Sequence, residues 1–197
     1  MTETDDIRWV ENPVMGQRVR ILTLPVETGG RNFVLEYVNR PFAGRYAVPE
    51  HFHPVWSETF EILSGRGRYL LGGKEEIAAA GDRIVMPPNV PHVHPWSDSD
   101  EELRVRQAAE ADPPDAEGLT ASLQAVSTLF GLAREGKVNK KGLPNILQTA
   151  VIASSTMPGS YLAGPPAAVQ DVLIRGLAAI GRLVGYRTSY PRFGSLR

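Results

Sequence analysis

The stretch Glu50–Gly65, EHFHPVWSETFEILSG, decides the reading of this chain. His51 and His53 stand two residues apart, and in an extended strand side chains at that spacing share one face. Two imidazoles can therefore aim at one point. Pro54 turns the chain four residues before Glu58, and the strand that follows can return the Glu58 carboxylate to the same place. Two imidazoles and a carboxylate converging on one point outline a site for a first-row transition metal.

Working outward, a second stretch, Gly81–Trp96, reads GDRIVMPPNVPHVHPW. It holds the other two of the four histidines, His92 and His94, so every histidine in the chain falls in one of these two stretches. A lone His-x-His in a strand is ordinary polar surface. Confinement of all four to two short segments is not the scatter expected of surface residues.

The surrounding sequence reads as many short strands. Ile7–Val10 alternates apolar and polar residues, Asn12–Pro13 breaks it, and RVRILTL follows Gly16. Gly29–Gly30 marks a hairpin turn before a strand over Asn32–Arg40. Further strands are expected at Glu58–Leu63, Gly67–Leu71, Glu75–Ala79, Arg83–Met86, His92–Trp96 and Glu102–Ala108, separated by Gly, Pro, Asn and Asp turns. Short strands with turn signals every eight to twelve residues or so point to a mainly β sandwich or barrel.

Two motifs carry a family resemblance. The first is His51-x-His53, four residues, Glu58, six residues, Gly65. The second is Gly81, five residues, Pro87-x-Asn89, two residues, His92. Together they resemble the paired motifs of the cupin superfamily over about residues 14–108. Asn89 stands where the pattern has a turn glycine, a tolerable exchange because Asn enters left-handed backbone readily. Trp96 stands where the pattern ends in Asn. The resemblance selects a double-stranded β-helix, or jelly-roll, barrel, with His51, His53, Glu58 and His92 as metal ligands inside one open end. The chain also resembles a group of bacterial cupin-domain proteins with a helical tail, in the segments Glu11–Val19, Leu129–Gln148 and Gly181–Arg187.

After Ala111 the pattern changes. DPPDAEG, residues 112–118, reads as a linker between a barrel domain (1–111) and a C-terminal α-helical extension (112–197). Leu119, Leu123, Val126, Phe130 and Ala133 recur at helical spacing up to Gly136. A second helix is expected over Leu143–Thr156 with Pro144 in its first turn, then a turn-like Met157–Gly164, then a third helix over Ala167–Tyr186. Its stripe is Val169, Val172, Leu173, Leu177, Ile180, Leu183 and Val184; RTSYPRFGSLR reads as an extended end. Such stripes predict core or interface, here a homodimer, with peripheral membrane contact as the alternative for a basic amphipathic helix.

Charge and composition narrow the function classes. Residues 1–112 hold 12 Lys/Arg against 18 Asp/Glu, net −6, and residues 113–197 hold 9 against 4, net +5. An acidic barrel gives no footing for nucleic-acid binding. Cysteine is absent, which excludes disulfides, thiolate catalysis and thiolate metal sites. The acidic MTETDDIRWVENP has no apolar core of a signal peptide, and no run is long enough to span a membrane, so a cytoplasmic location is expected.

Three imidazoles and one carboxylate suit one divalent transition metal, Fe, Mn, Ni, Cu, Co or Zn, with positions left open for water, substrate or dioxygen. The expected function is a metal-dependent enzyme acting on a small organic molecule. A dioxygenase is the leading subclass; a redox-neutral isomerase, lyase or hydrolase and a non-catalytic ligand-binding or sensory cupin are the alternatives. His94, two residues after His92, is the candidate catalytic residue, as base, substrate partner or additional ligand. Trp56, Phe60 and Trp96 are candidate substrate-lining residues, with plain packing as the other reading.

Overall fold

The computed structural model describes residues 9–45 and 47–193. The expectations for Ile7 and Arg8 and for residues 194–197 lie outside the described residues. Among the described residues, ten strands precede the first α-helix: β1 (Val10–Asn12), β2 (Gln17–Thr23), β3 (Asn32–Asn39), β4 (His51–Phe52), β5 (Trp56–Ser64), β6 (Arg66–Leu71), β7 (Lys74–Ala79), β8 (Arg83–Met86), β9 (His92–Ser97) and β10 (Leu103–Ala111). Helices α1 (Ala116–Arg134) and α2 (Ile146–Thr156) follow, then β11 (Tyr161–Leu162) and α3 (Ala167–Leu183).

The strands form two antiparallel sheets, a six-stranded β1-β2-β3-β10-β5-β8 and a five-stranded β11-β4-β9-β6-β7. This is a jelly-roll double sheet. Alternation along each strand decides what lies between the sheets. Phe33, Leu35 and Tyr37 point inward from β3, Trp56, Phe60 and Ile62 from β5, and Leu103, Val105, Ala109 and Ala111 from β10. The same parity carries Glu58 and Gln107 inward, so two polar side chains sit among apolar ones at one level of the core.

The outward face of the larger sheet carries a separate ionic group. Glu36 on β3, 1% exposed, accepts from Arg20 on β2 and from Arg104 and Arg106 on β10 at 2.8–3.1 Å. Burial works against its charge, but the three guanidiniums outweigh it and hold the pKa down to about 2.

The helical extension shares the barrel's core. Leu119, Leu123 and Phe130 of α1 belong to the same apolar cluster as Trp56 and Phe60. Burying each leucine contributes about 1.5–3 kcal/mol. The linker is shorter than residues 112–118, because Asp115 caps α1 by accepting from the Gly118 amide at 2.9 Å. The second helix likewise starts at Ile146, not within Leu143–Pro144: the Asn145 side chain accepts from the Leu147 and Gln148 amides and fixes that end. Helix α3 stops at Leu183 because Gly185 turns left-handed (φ 93°) and the Tyr186 amide bonds back to the Gly181 carbonyl. Between Thr23 and Asn32 a one-turn 3-10 helix, Pro25–Thr28, precedes the left-handed Gly29 and Gly30, so that connection is longer than a tight hairpin.

Met157–Gly164 is more than a turn. It contains β11, which pairs with β4, placing Tyr161 opposite Phe52 and Leu162 opposite His51. The extension thus completes the smaller sheet beside the His-x-His segment. Of the α3 stripe, Val172, Leu173 and Leu183 stand 59–87% exposed, while Gln170, Ala178 and Gly181 make the buried side. No helix among the described residues is long and apolar enough to cross a membrane.

Candidate metal centre

The two histidine segments meet because β4 pairs with β9, with His51 directly opposite His92. Glu58 arrives from β5 in the facing sheet. The turn before β9 is tied to the first segment: Asn89 sits at φ 62°, its amide bonds the His53 carbonyl at 2.8 Å, and its side chain donates to the Pro54 carbonyl. Asn thus performs the left-handed role expected of it at that position.

One atom, Glu58 Oε2, is the focus. His94 Nε2 lies 3.0 Å from it, His92 Nε2 3.1 Å and His53 Nε2 3.6 Å. His51 packs edge-on to His92, ring centroids 4.4 Å apart. Ligand atoms of His51, Glu58, His92 and His94 all lie within 4.8 Å of one another, so this group could hold a metal ion. The structure therefore brings His94 into the donor group beside His51, Glu58 and His92, while His53 adjoins it through Glu58.

The imidazoles are oriented by their other nitrogens. Nδ1 of His51 lies 2.9 Å from the Pro49 carbonyl, Nδ1 of His92 2.8 Å from the Val90 carbonyl, and Nδ1 of His53 2.8 Å from the Gly159 carbonyl. A carbonyl only accepts, so each Nδ1 carries the hydrogen and each Nε2 is left to present a lone pair. Glu58 is fixed in the same way: its Oε1 accepts from Gln107 Nε2 at 2.7 Å, leaving Oε2 to face the imidazoles.

The donor set fits a divalent cation. Among the described residues, His53 Nε2 is buried with no hydrogen-bond partner. The Nε2 lone pairs of His53 and His92 face a carboxylate oxygen that is itself an acceptor, an arrangement that a cation between them would satisfy. Burial disfavours charge on Glu58, yet the imidazoles, His94 and His53 foremost, hold its pKa well below the ordinary value. Burial, reinforced by neighbouring imidazoles, pushes His51 well below its ordinary pKa, leaving it neutral. Burial also opposes charge on His53, but the Glu58 carboxylate outweighs it and raises the pKa.

Trp56 is fully buried and stacks on His53, with centroids 5.0 Å apart and planes at 29°. Phe60 lies 4.8 Å from the His94 ring and walls that side. Trp96 is different: its described ring contact is with the Arg45 guanidinium at 4.4 Å, not with the histidines. His94 is the most open of the four, its side chain 16% exposed. Gln107 and Gly159 escaped the sequence reading. Gln107 had a signal, a polar residue at the apolar parity of Leu103, Val105, Ala109 and Ala111. Gly159 had none.

Residues 43–106 match the family model for the cupin domain. No curated protein matches the chain in sequence. Among solved structures, the polyketide cyclase RemF from Streptomyces resistomycificus is similar at 22% identity, covering 56% of this chain and 78% of that one, with a TM-score of 0.46. A predicted oxalate decarboxylase from Thermotoga maritima is similar at 17% identity, covering 56% and 98%, with a TM-score of 0.47. KdgF from a Halomonas species is similar at 17% identity, covering 56% and 90%, with a TM-score of 0.43.

Proposed function

We propose that this chain, whose barrel is a cupin domain, is a metal-dependent enzyme acting on a small organic molecule, with dioxygenase chemistry as its subclass. The observation that carries the reading is the convergence of imidazole nitrogens on Glu58 Oε2, three of the rings fixed through Nδ1 by backbone carbonyls. His51, His53, Glu58 and His92 would hold the metal, with His94 in the same donor group as a further nitrogen. A nitrogen-rich set with one carboxylate and no thiolate suits Fe, Mn, Ni, Cu, Co or Zn, and such a metal supplies Lewis acidity and, if redox-active, a reaction with dioxygen.

The protein's own residues set what happens around that ion. His94 stands at the most open side, 3.0 Å from Glu58, and would hold or pass a proton to a substrate. Phe60 and Trp56, both fully buried, are apolar walls behind the His94 and His53 rings that exclude water from that side. Tyr37, buried with its hydroxyl donating to the Pro95 carbonyl at 3.0 Å, braces the strand that carries His94.

The test is elemental analysis of tag-free protein purified without added metal, paired with oxygen-electrode traces against catechols, diketones and flavonol-like chelators. Stoichiometric iron, copper, nickel or manganese with oxygen uptake supports the dioxygenase reading. Zinc without uptake replaces it with isomerase, lyase or hydrolase chemistry, and ligand affinity without product replaces it with a binding or sensory role. His92→Ala should lower bound metal at least about tenfold; unchanged metal content refutes the site.

A further inference from the structure

Three histidines are held through Nδ1, but not by the same kind of partner. For His51 and His92 the carbonyl belongs to the residue two positions earlier, Pro49 or Val90, so each loop orients its own ring. For His53 the carbonyl is that of Gly159, 106 residues away in the C-terminal extension. One imidazole of the centre is therefore oriented from outside the barrel's own sequence.

The segment that delivers this carbonyl is built for it. Beyond Gly159 the chain pairs as β11 with β4, the Ala163 amide bonds the Glu50 carbonyl at 2.9 Å, and Tyr161 stacks on Phe52. Gln170, buried at the start of α3, accepts from the Leu162 amide at 3.0 Å and donates to the Leu162 and Pro165 carbonyls at 2.9 and 2.8 Å. This single side chain clamps the strap to the helix. On the inner side Gly159 lies against Trp56, the residue stacked on His53. A Cβ at Gly159 would stand 2.5 and 2.6 Å from Trp56 Cζ2 and Cη2, so only glycine lets the backbone come this close.

We propose that the strap around Gly159–Ala163 is a working part of the metal centre, with the Gly159 carbonyl as the positioning group that fixes the aim of His53 Nε2. The inference rests on reading the cluster as a metal site. When the strap is docked, His53 Nδ1–H donates to Gly159 and Nε2 faces Glu58. When it is displaced, His53 loses its only described Nδ1 partner and is free to rotate or change tautomer, while His51 and His92 keep theirs. Loss of such an outer partner weakens metal binding by about 10–100-fold. The helical extension is thereby coupled to the chemistry and is more than a cover for the barrel.

The test uses the full chain in three variants: Gly159→Ala, which forces the strap off Trp56; Gln170→Leu, which releases the clamp at a distance from the site; and Thr128→Val. Thr128 ties the end of the chain to α1 through the Thr188 carbonyl, so this last variant loosens the extension elsewhere. Two readouts are taken. The first is the set of exchange-protected ring Nδ1–H signals in histidine-labelled, metal-free protein. The second is the Zn(II) dissociation constant by chelator competition. The wild type should show protected signals from His51, His53 and His92. Gly159→Ala and Gln170→Leu should lose the His53 signal alone and bind Zn(II) about tenfold or more weakly, and Thr128→Val should change neither. Wild-type Zn(II) affinity in both strap variants, with the His53 signal lost, overturns the proposal. So does a retained His53 signal once hydrogen exchange shows the Ala163 amide released. A wild type that binds no metal refutes the metal reading instead, and the NMR readout still decides whether the strap orients His53. If Gly159→Ala fails to fold, Gln170→Leu carries the test.

Discussion

Gln107→Leu isolates the support of the carboxylate at the centre. The Gln107 amide donates to Glu58 Oε1 at 2.7 Å, and both side chains are buried. A hydrogen bond to a charged group contributes about 1.5–3 kcal/mol. Leucine has nearly the same volume and recovers about 1 kcal/mol through its extra apolar surface. The metal-free variant should therefore lose about 0.5–2 kcal/mol, which at a slope of about 2 kcal/mol per molar urea lowers the midpoint by about 0.25–1 M. Metal binding should suffer separately. With Oε1 released, the carboxylate can rotate and Oε2 no longer faces His92 and His94, so the Zn(II) dissociation constant should rise about 10–100-fold. A double-mutant cycle with Glu58→Gln shows whether the loss runs through that contact, since coupling of about 1 kcal/mol or more is expected between touching partners. A Gln107→Leu protein with wild-type urea midpoint and Zn(II) affinity within twofold would refute the account of the site as an oriented carboxylate.

Two other outcomes follow from groups away from the centre. Glu36 has a folded pKa depressed from 4.5 to about 2, so its contribution is fully present above about pH 4.5 and is lost as pH falls toward 2. That shift corresponds to at most about 3 kcal/mol, reduced because Arg104 and Arg106 reach solvent. Glu36→Gln should thus be less stable at pH 7 and show a flatter stability profile between pH 4.5 and 2 by urea unfolding; an unchanged acid limb contradicts the assignment. The exposed stripe Val169, Val172, Leu173, Ile180 and Leu183 on α3 is expected to seat a second copy, giving a dimer in sedimentation velocity that Leu173→Glu with Leu183→Glu converts to monomer. A wild-type monomer that sediments with anionic vesicles would transfer the stripe to the membrane reading.

Much of the barrel was legible because its signals are local. Strands β3, β5, β6, β7, β8 and β9 fall within a residue or two of where alternation and turn residues put them, and β10 runs three residues beyond its expected end at Ala108. His51 and Glu58 converge as the spacing implies, His92 joins them as the resemblance implies, and Asn89 takes the left-handed turn. Trp96 lies next to the motif in sequence, and its partner Arg45 lies in the irregular segment after β3, where no periodicity assigns contacts. The α3 stripe was visible as a stripe, yet periodicity cannot say whether a face is covered from within the chain or from outside it.

What the sequence hid has one physical cause. Orientation of an imidazole needs a carbonyl within hydrogen-bond reach, and any residue can supply one, so the supplier leaves no mark of residue type. At His51 and His92 the supplier is two residues away, and local geometry makes it unsurprising. At His53 it is Gly159, in a stretch whose strand is only two residues long and whose hold depends on Gln170 and Trp56. A two-residue strand has too few alternating positions to register as a pattern, and a glycine required for close approach looks the same in sequence as a glycine required for a turn. The family match over residues 43–106 therefore covers all four histidines and Glu58 but ends about fifty residues before the group that orients one of them. In this chain the barrel supplies the donor atoms and the extension completes their geometry, so a barrel cut free at Ala111 keeps all four histidines and Glu58 without the partner that orients His53.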